Sequence, residues 1–434
     1  MFQWSRSGIF LLHLYLFVVL LVFHASRVTS FSAPLHRKTS TYLMATAVST
    51  TTVEDKTCFI FGLGYVGAML ADSLVQEGWR VSGTCTNVPK IQRLRSKGVK
   101  AYLFDDEAGK MVQPEALDDL ISSSYVLSTI APSTLASLSG QQNGRDSVLY
   151  EHATDLKRTA LGGKLKWVGY VSSTGVYGDR DGAWVSEDDE LKPENEKTRN
   201  RADAELAWRT LGSRSGIPVH VFRVAGIYGP GRSAIDTVTK HNGDLASCGG
   251  DDKQFVSRIH VADIVNTLKC SMLHPNPGCV YNVADDLPST RYEVLSYACK
   301  LLQYPVSGPQ GGSSDRGRYR VLGRDTGVRG GSKRVDNTRL QRLLEIAGSS
   351  LQYPDYRIGL QAILFDTKNN AENPDNALKR GLIVDEDDEK TNAKDQSHGK
   401  QRGREAIRVD ALEERVTQLE TQLAQITKRL KELP

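Results

Sequence analysis

From Thr57 to about Phe365, short apolar runs alternate with stretches whose apolar residues recur at helical spacing. That rhythm belongs to a parallel sheet covered by helices, so the chain is predicted to be α/β with a doubly wound sheet. Strands are expected at Thr57 to Phe61, Arg80 to Thr84, Lys100 to Leu103, Tyr125 to Ser128, Lys166 to Ser172 and Pro218 to Arg223, with helices such as Tyr65 to Glu77 and Asn200 to Arg214 between them. Gly- and Arg-rich Ser307 to Arg334 reads as a long loop. Beyond Asp366 the composition turns polar and charged, which bounds a domain at 56–365. Residues 366–408, including Asp385-Glu-Asp-Asp-Glu389 and the basic run Lys394 to Arg404, read as a disordered linker.

The last segment has a different period. Val409, Leu412, Val416, Leu419, Leu423, Ile426, Leu430 and Leu433 recur at alternating spacings of 3 and 4. An unbroken aliphatic seam of this kind predicts a coiled-coil helix over 409–433 and a homo-oligomer, most simply a parallel dimer. A single amphipathic helix folded back on its own domain is the competing reading.

Composition changes the picture chiefly at the amino end. Residues Met1 to Val53 hold Arg6, Arg27, Arg37 and Lys38 and no Asp or Glu; without those four, 55 basic residues become 51, against 51 acidic. A neutral mature chain argues against whole-protein attraction to nucleic acid or anionic lipid. The apolar run Ile9 to Phe23 after Arg6, closed by Val28-Thr29-Ser30, has the form of a secretory signal over 1–30. It is short for a membrane span and carries His13, so no stable span is expected in the mature chain, an uncleaved anchor being the alternative. Residues 31–53 are basic, acid-free and rich in Ser and Thr, the composition of a transit peptide. The two in series resemble the bipartite presequences of algae with secondary plastids, in which an aromatic residue, here Phe31, opens the transit segment. The resemblance implies the plastid stroma; the secretory pathway is the alternative. Six cysteines form no C-x-x-C pair and no clustered His/Cys set, so reduced thiols are expected and no metal site.

Phe59-Ile-Phe-Gly62-Leu-Gly64-Tyr-Val-Gly67 stands where the first strand must turn into a helix. There Gly62 permits the tight turn, Gly64 lets backbone approach a pyrophosphate, and Gly67 lets the helix pack closely on the strand, which makes the sheet Rossmann-like and the turn a dinucleotide site. Between Glu77 and Asp105 no Asp or Glu occurs, while Arg80, Lys90, Arg93 and Arg95 do. A carboxylate in that stretch would bind the ribose hydroxyls of NAD and repel a 2′-phosphate, so NADP is expected over NAD, with Thr84, Thr86 and Lys90 as candidate contacts. Asp105, past the third strand, is either an acceptor for the adenine amino group or a solvated loop carboxylate.

Tyr170-Val-Ser-Ser173-Thr-Gly-Val-Tyr-Gly178, Phe222-Arg-Val-Ala-Gly-Ile-Tyr-Gly-Pro-Gly-Arg232, Arg258-Ile-His-Val-Ala-Asp263 and Tyr281-Asn-Val-Ala-Asp-Asp286 follow one another in the order found in extended short-chain dehydrogenases/reductases. With Ser332-Lys-Arg-Val335 and Tyr353-Pro-Asp-Tyr356, the chain resembles small epimerase-like NAD(P)-binding proteins of that superfamily. The resemblance implies a small C-terminal lobe over a substrate cleft, and an epimerase, dehydratase or reductase acting on a nucleotide sugar or small carbonyl compound.

Active members carry a Ser or Thr at the position of Ser173 and a Tyr-x-x-x-Lys pair on the following helix. Aligning Arg201-Ala-Asp-Ala-Glu205 with their Lys-x-x-x-Glu places Lys197 at the Tyr position and Arg201 at the Lys position, and no tyrosine occurs between Tyr177 and Tyr228. Ser173 and Lys197 are therefore the candidate catalytic residues, and Arg201 the candidate ribose contact. Arg201 cannot titrate usefully, and an acid role for Lys197 depends on burial. Ser173 has a second reading as a strand-end serine bonding backbone. The arginine that contacts substrate pyrophosphate in sugar-nucleotide epimerases is replaced by Val256, with Arg258 nearer the histidine. Arg316, Arg318, Arg320, Arg324, Arg329, Lys333 and Arg334 form either an anion site or a solvated loop. Two other resemblances compete. The glycine turn is also similar to that of UDP-sugar 6-dehydrogenases, whose catalytic-cysteine motif is absent. Chloroplast stem-loop-binding proteins keep the fold without the catalytic pair and bind RNA, a reading that net neutrality and the single interleaved aromatic, Tyr319, oppose.

Truncation before Asp385 is expected to leave a folded domain sedimenting as a monomer, and an unchanged oligomer would refute the seam at 409–433 as its cause.

Overall fold

A computed structural model of the chain describes residues 56–105, 110–132, 146–245, 248, 254–306 and 331–372. The expected address segments at 1–30 and 31–53, all but the first seven residues of the expected linker at 366–408, and the expected seam at 409–433 lie outside them. Strand β1 (Thr57–Phe61) is buried along its whole length. A short run with no polar face needs cover on both sides, and it sits centrally in an eight-stranded sheet of order β12-β8-β6-β5-β1-β2-β3-β4. The neighbours are β2 (Arg80–Cys85), β3 (Lys100–Asp105) and β4 (Lys110–Met111) on one side, and β5 (Tyr125–Ser128), β6 (Trp167–Ser173), β8 (Val219–Val224) and β12 (Val280–Val283) on the other. Pairing is parallel except for β4 on β3. The chain runs outward from β1 in one direction and then, from β5, in the other, which opens a crevice between the carboxyl ends of β1 and β5.

Helices cover both faces. Helices α1 (Tyr65–Gln76), α2 (Val88–Ser96), α7 (Val261–Leu273) and α9 (Thr338–Ile346) bury Leu70, Ile91, Leu268 and Leu343 in a core with Ile60 and Leu127. Helices α3 (Glu115–Ser122), α4 (Ser147–Leu161) and α5 (Glu196–Ser215) close the other face over Phe59, Phe61, Val168 and Tyr170. A third cluster joins α6 (Ala234–Lys240), α8 (Arg291–Leu301) and α10 (Tyr356–Glu372) around Tyr228, Val238, Leu295 and Leu360. This is the smaller C-terminal lobe. Five short strands, β7 (Trp184–Val185), β9 (Gly226–Tyr228), β10 (Phe255–Val256), β11 (Arg258–His260) and β13 (Ser289–Thr290), with β14 (Arg334–Val335), tie it down as two-stranded ladders. Among the described residues no helix is long and apolar enough to cross a membrane. All six cysteines are free thiols, five of them buried.

The structure departs from the sequence pattern at element ends. Helix α5 starts four residues before Asn200, because Asn195 caps it: the Asn195 Oδ1 accepts from the Thr198 amide at 3.0 Å and the Thr198 hydroxyl accepts from the Asn195 amide at 3.2 Å. Those first residues are polar, so apolar periodicity could not reveal them. Helix α10 continues to Glu372, past the boundary at Asp366, although its last buried apolar residue among those described is Ile363. The expected loop from Ser307 ends before Arg334, which pairs with Trp184 across β14 and β7.

Under the carboxyl ends of β6, β8 and β12 lies a buried polar network. Arg223 Nε donates to both Glu205 oxygens at 3.2 and 3.1 Å, and its Nη1 donates to the Tyr177 hydroxyl at 2.8 Å and the Glu187 carbonyl at 3.0 Å. Tyr177 passes the chain on to Asn282 Oδ1 at 2.7 Å, and Ser172 donates to Glu205 at 3.0 Å. Arg223 is 2% exposed and Glu205 1%. Removing one partner strands a buried charge. Arg223→Met is therefore expected to cost ~3–5 kcal/mol in denaturant unfolding, and the double variant Arg223→Met/Glu205→Leu markedly less than the sum of the two single changes.

Candidate functional site

The glycine turn leaves β1 with Gly62 at φ +90°, where an added Cβ would stand 2.6 Å from Thr129 Oγ1. Two threonines hold it. Thr84 Oγ1, from β2, accepts from the Gly62 amide at 3.0 Å, and Thr129, just past β5, donates to the Gly62 carbonyl at 2.7 Å. A Cβ at Gly67 would meet that same carbonyl at 2.2 Å, so only glycine lets α1 come this close to the strand. Gly64 differs: nothing lies within 4 Å of where its Cβ would be. It is the N-cap of α1, no side chain caps the helix, and no acidic residue occupies its first turn. Open space beside an uncapped helix amino end, with its amides pointing outward, is a seat for a phosphate-bearing group.

Thr84, an expected cofactor contact, lies beneath the glycine turn. It is fully buried and its oxygen is spent on the Gly62 amide, so it positions the turn. Thr86 is exposed beyond β2, and Lys90 is half-buried in the first turn of α2, whose cap is Asn87 and which carries no carboxylate in that turn. Asp105 ends β3, half-buried. These three stand at the carboxyl ends of the strands that follow the glycine turn, where the adenosine half of a dinucleotide would lie.

On the other side of the crevice, Ser173 ends β6 half-buried, and its Oγ accepts from the Gly175 amide at 3.1 Å, capping the 3₁₀ turn Thr174–Tyr177. The first turn of α5 meets this turn, with Thr198 Cγ2 3.3 Å from where a Gly175 Cβ would be. Lys197, in that turn, is exposed, so the burial on which an acid role depends is missing. Arg201, half-buried one turn on, donates from Nη1 to the Val171 carbonyl at 3.1 Å. The fold thus brings Ser173 and the start of α5 to one strand end, with Arg201 tied to the strand itself.

The matching residues of the R-I-H-V-A-D run are spent on packing. His260 Nδ1 accepts from the Ala262 amide at 3.2 Å, and its ring lies against Tyr228 and Tyr353, with centroids 5.2 and 4.0 Å away. Burial pushes the imidazole down to about 4. Asp263 accepts from the Gln352 and Tyr353 amides at 2.6 and 3.0 Å, and burial still raises it to about 6. Arg258 is turned inward, donating to the Val256 and Ser289 carbonyls at 2.8 Å each, so it does not replace the arginine absent at Val256. Lys333 and Arg334 are not a solvated loop. Lys333 is 5% exposed and donates to the Gly178 carbonyl at 2.8 Å, while Arg334 stacks 3.8 Å over Phe255 and donates to the Gly182 carbonyl. Arg316, Arg318, Arg320, Arg324 and Arg329 lie outside the described residues.

Residues 58–284 match the model of the NAD dependent epimerase/dehydratase family. The chain belongs to that family. Protein YeeZ of Escherichia coli (strain K12) is 26% identical over 300 residues, which cover 68% of this family member and 96% of YeeZ. A solved structure of a functionally unknown conserved protein from Silicibacter pomeroyi is 33% identical with a TM-score of 0.54, covering 72% of this chain and 99% of that one. MoeE5, solved with UDP-glucuronic acid and NAD, shares the fold at 21% identity and a TM-score of 0.51, covering 72% and 99%. Within this family member, sequence reasoning missed Tyr65 and Arg232. Tyr65 donates to the Pro230 carbonyl at 3.0 Å, and the Arg232 guanidinium lies 5.7 Å from its ring. Both residues stand inside recognised motifs, but nothing in either motif says that the two meet. Among the described residues no group of three or more His, Cys, Asp or Glu could hold a metal.

The three glycines separate by what surrounds them. Gly64→Val is expected to keep the melting temperature of the unliganded protein and abolish dinucleotide binding, since its side chain fills only the open seat. Gly67→Ala is expected to lower stability by more than about 2 kcal/mol through its clash with the Gly62 carbonyl. Equal melting temperatures for Gly67→Ala and the parent, or retained binding by Gly64→Val, would contradict this division.

Proposed function

We propose that this family member binds NADP(H) in the crevice over Gly62, Gly64 and Gly67, and that it is an epimerase- or reductase-like protein with an altered proton-transfer site. The open side of Gly64 at the uncapped end of α1 carries the cofactor half of this reading. A bound dinucleotide would supply hydride transfer, and the chain's own residues would seat it. Its pyrophosphate would lie against the α1 amides, and its 2′-phosphate near Thr86 and Lys90, where no carboxylate opposes it. NAD is the alternative, and MoeE5 was solved with NAD.

The substrate class is a nucleotide sugar or a small carbonyl compound. The first turn of α5, which meets the Ser173 turn, carries no tyrosine; Lys197 is solvated and Arg201 is engaged with Val171. Water held by Ser173 is then the remaining proton source. Such a site forgoes most of the ~10²–10⁴-fold that a positioned acid or base contributes. We place the protein in the plastid stroma as a homo-oligomer joined through 409–433. The RNA-binding alternative loses two of its cations, since Lys333 and Arg334 are spent within the fold.

Calorimetric titration of the chain from Glu54 onward is expected to give tighter binding of NADPH than of NADH, by about tenfold for one added charge-assisted contact. No shift in melting temperature with either dinucleotide at millimolar concentration would overturn the cofactor reading. With common nucleotide sugars, turnover is expected to be very slow, and Lys197→Met is expected to change it less than twofold. Rapid turnover that collapses in that variant would show Lys197 to be the acid.

A further inference from the structure

A dinucleotide pyrophosphate carries two negative charges, yet the sequence around its seat, Thr57 to Asp72, contains no Lys or Arg. The α1 amides supply dipoles and no net charge. The fold brings one cation to that place from the far side of the crevice. After β9 the chain makes a tight hairpin in which the Gly229 and Arg232 backbones exchange hydrogen bonds at 3.1 and 3.0 Å, with Gly231 at φ +69°. Tyr65, the residue directly after Gly64, inserts its hydroxyl against this hairpin and donates to the Pro230 carbonyl at 3.0 Å. Only a glycine at 229 leaves room, since a Cβ there would lie 2.5 Å from the Tyr65 hydroxyl.

Arg232 is exposed at the end of that rigid turn, with its guanidinium 5.7 Å from the Tyr65 ring. Among the described residues its side chain forms no hydrogen bond or ion pair. The nearest acid in sequence, Asp236, is occupied by the Ser233 amide and hydroxyl at 2.7 and 2.5 Å, closing the cap of α6. An arginine held beside an aromatic ring by cation–π attraction leaves its N–H donors available, the arrangement suited to phosphate.

We propose that Arg232 is the counter-charge for the dinucleotide pyrophosphate, delivered from the C-terminal lobe across Tyr65, so that cofactor binding fastens that lobe to the nucleotide-binding half. This rests on the NADP(H) reading above. The test titrates Arg232→Gln and Arg232→Lys against two probes: NADPH, and 2′-AMP, which has adenine and the 2′-phosphate but no pyrophosphate. Arg232→Gln is expected to weaken NADPH ~10- to 100-fold and to leave 2′-AMP unchanged, with Arg232→Lys between the two and an unaltered melting temperature for both unliganded variants. NADPH affinity within twofold of the parent, or an equal loss for both probes, would overturn the role of Arg232 while leaving the cofactor site intact. If the parent binds NADPH no better than 2′-AMP, the pyrophosphate seat itself fails, and this role with it.

Discussion

The guanidinium of Arg223 is the point on which the working end of this fold depends. Its donors are shared among a carboxylate on α5, a tyrosine at the end of the 3₁₀ turn and a carbonyl in the segment that runs beside β12. The arrangement is expensive to bury and is stable only because every part is satisfied. In return it fixes the end of β6, the middle of α5 and the edge strand relative to one another, through Ser172, Glu205 and Asn282. The ladder carries this order across the sheet, with Ser173 opposite Val224 and Val224 opposite Val283.

A second constraint is steric. The Gly62 carbonyl lies so near Gly67 that α1 can take only one position over β1. Thr84 and Thr129 hold that carbonyl and its amide from the two strands flanking β1, so the crevice at the strand-order reversal is preformed. Binding then meets a rigid seat and loses little to ordering it.

Family motifs divide here into residues that build and residues left facing the crevice. His260, Asp263, Arg258 and Lys333 all look chemically capable in the sequence, and all are spent inside the protein. Burial accounts for the lowered imidazole, the raised carboxyl and a Lys333 amine brought down to about 8 despite Glu194 and Asp179 nearby. What stands exposed or half-buried at the crevice is sparser: the α1 amides, Thr86, Lys90, Arg232 and the strand-end Ser173.

The sequence by itself determined the class of fold, the central strands and the glycine turn, because these rest on local rules: the period of apolar residues, the steric latitude of glycine and the demands of a strand-to-helix turn. It also supplied the absence of carboxylates between Glu77 and Asp105 and of any tyrosine between Tyr177 and Tyr228, which are facts of composition. Helix ends were legible only where apolar periodicity reached them, so the polar first turn of α5 and the polar tail of α10 were not. Which polar side chain stays free was a tertiary decision. Thr84 and Thr86 stand two residues apart, yet one is sealed under the glycine turn and the other open, because β2 ends at Cys85 between them. Tyr65 and Arg232 are 167 positions apart, and only the docking of the C-terminal lobe brings ring and guanidinium together. Long-range contacts of this kind leave no period in the chain, because they depend on where two surfaces come to rest.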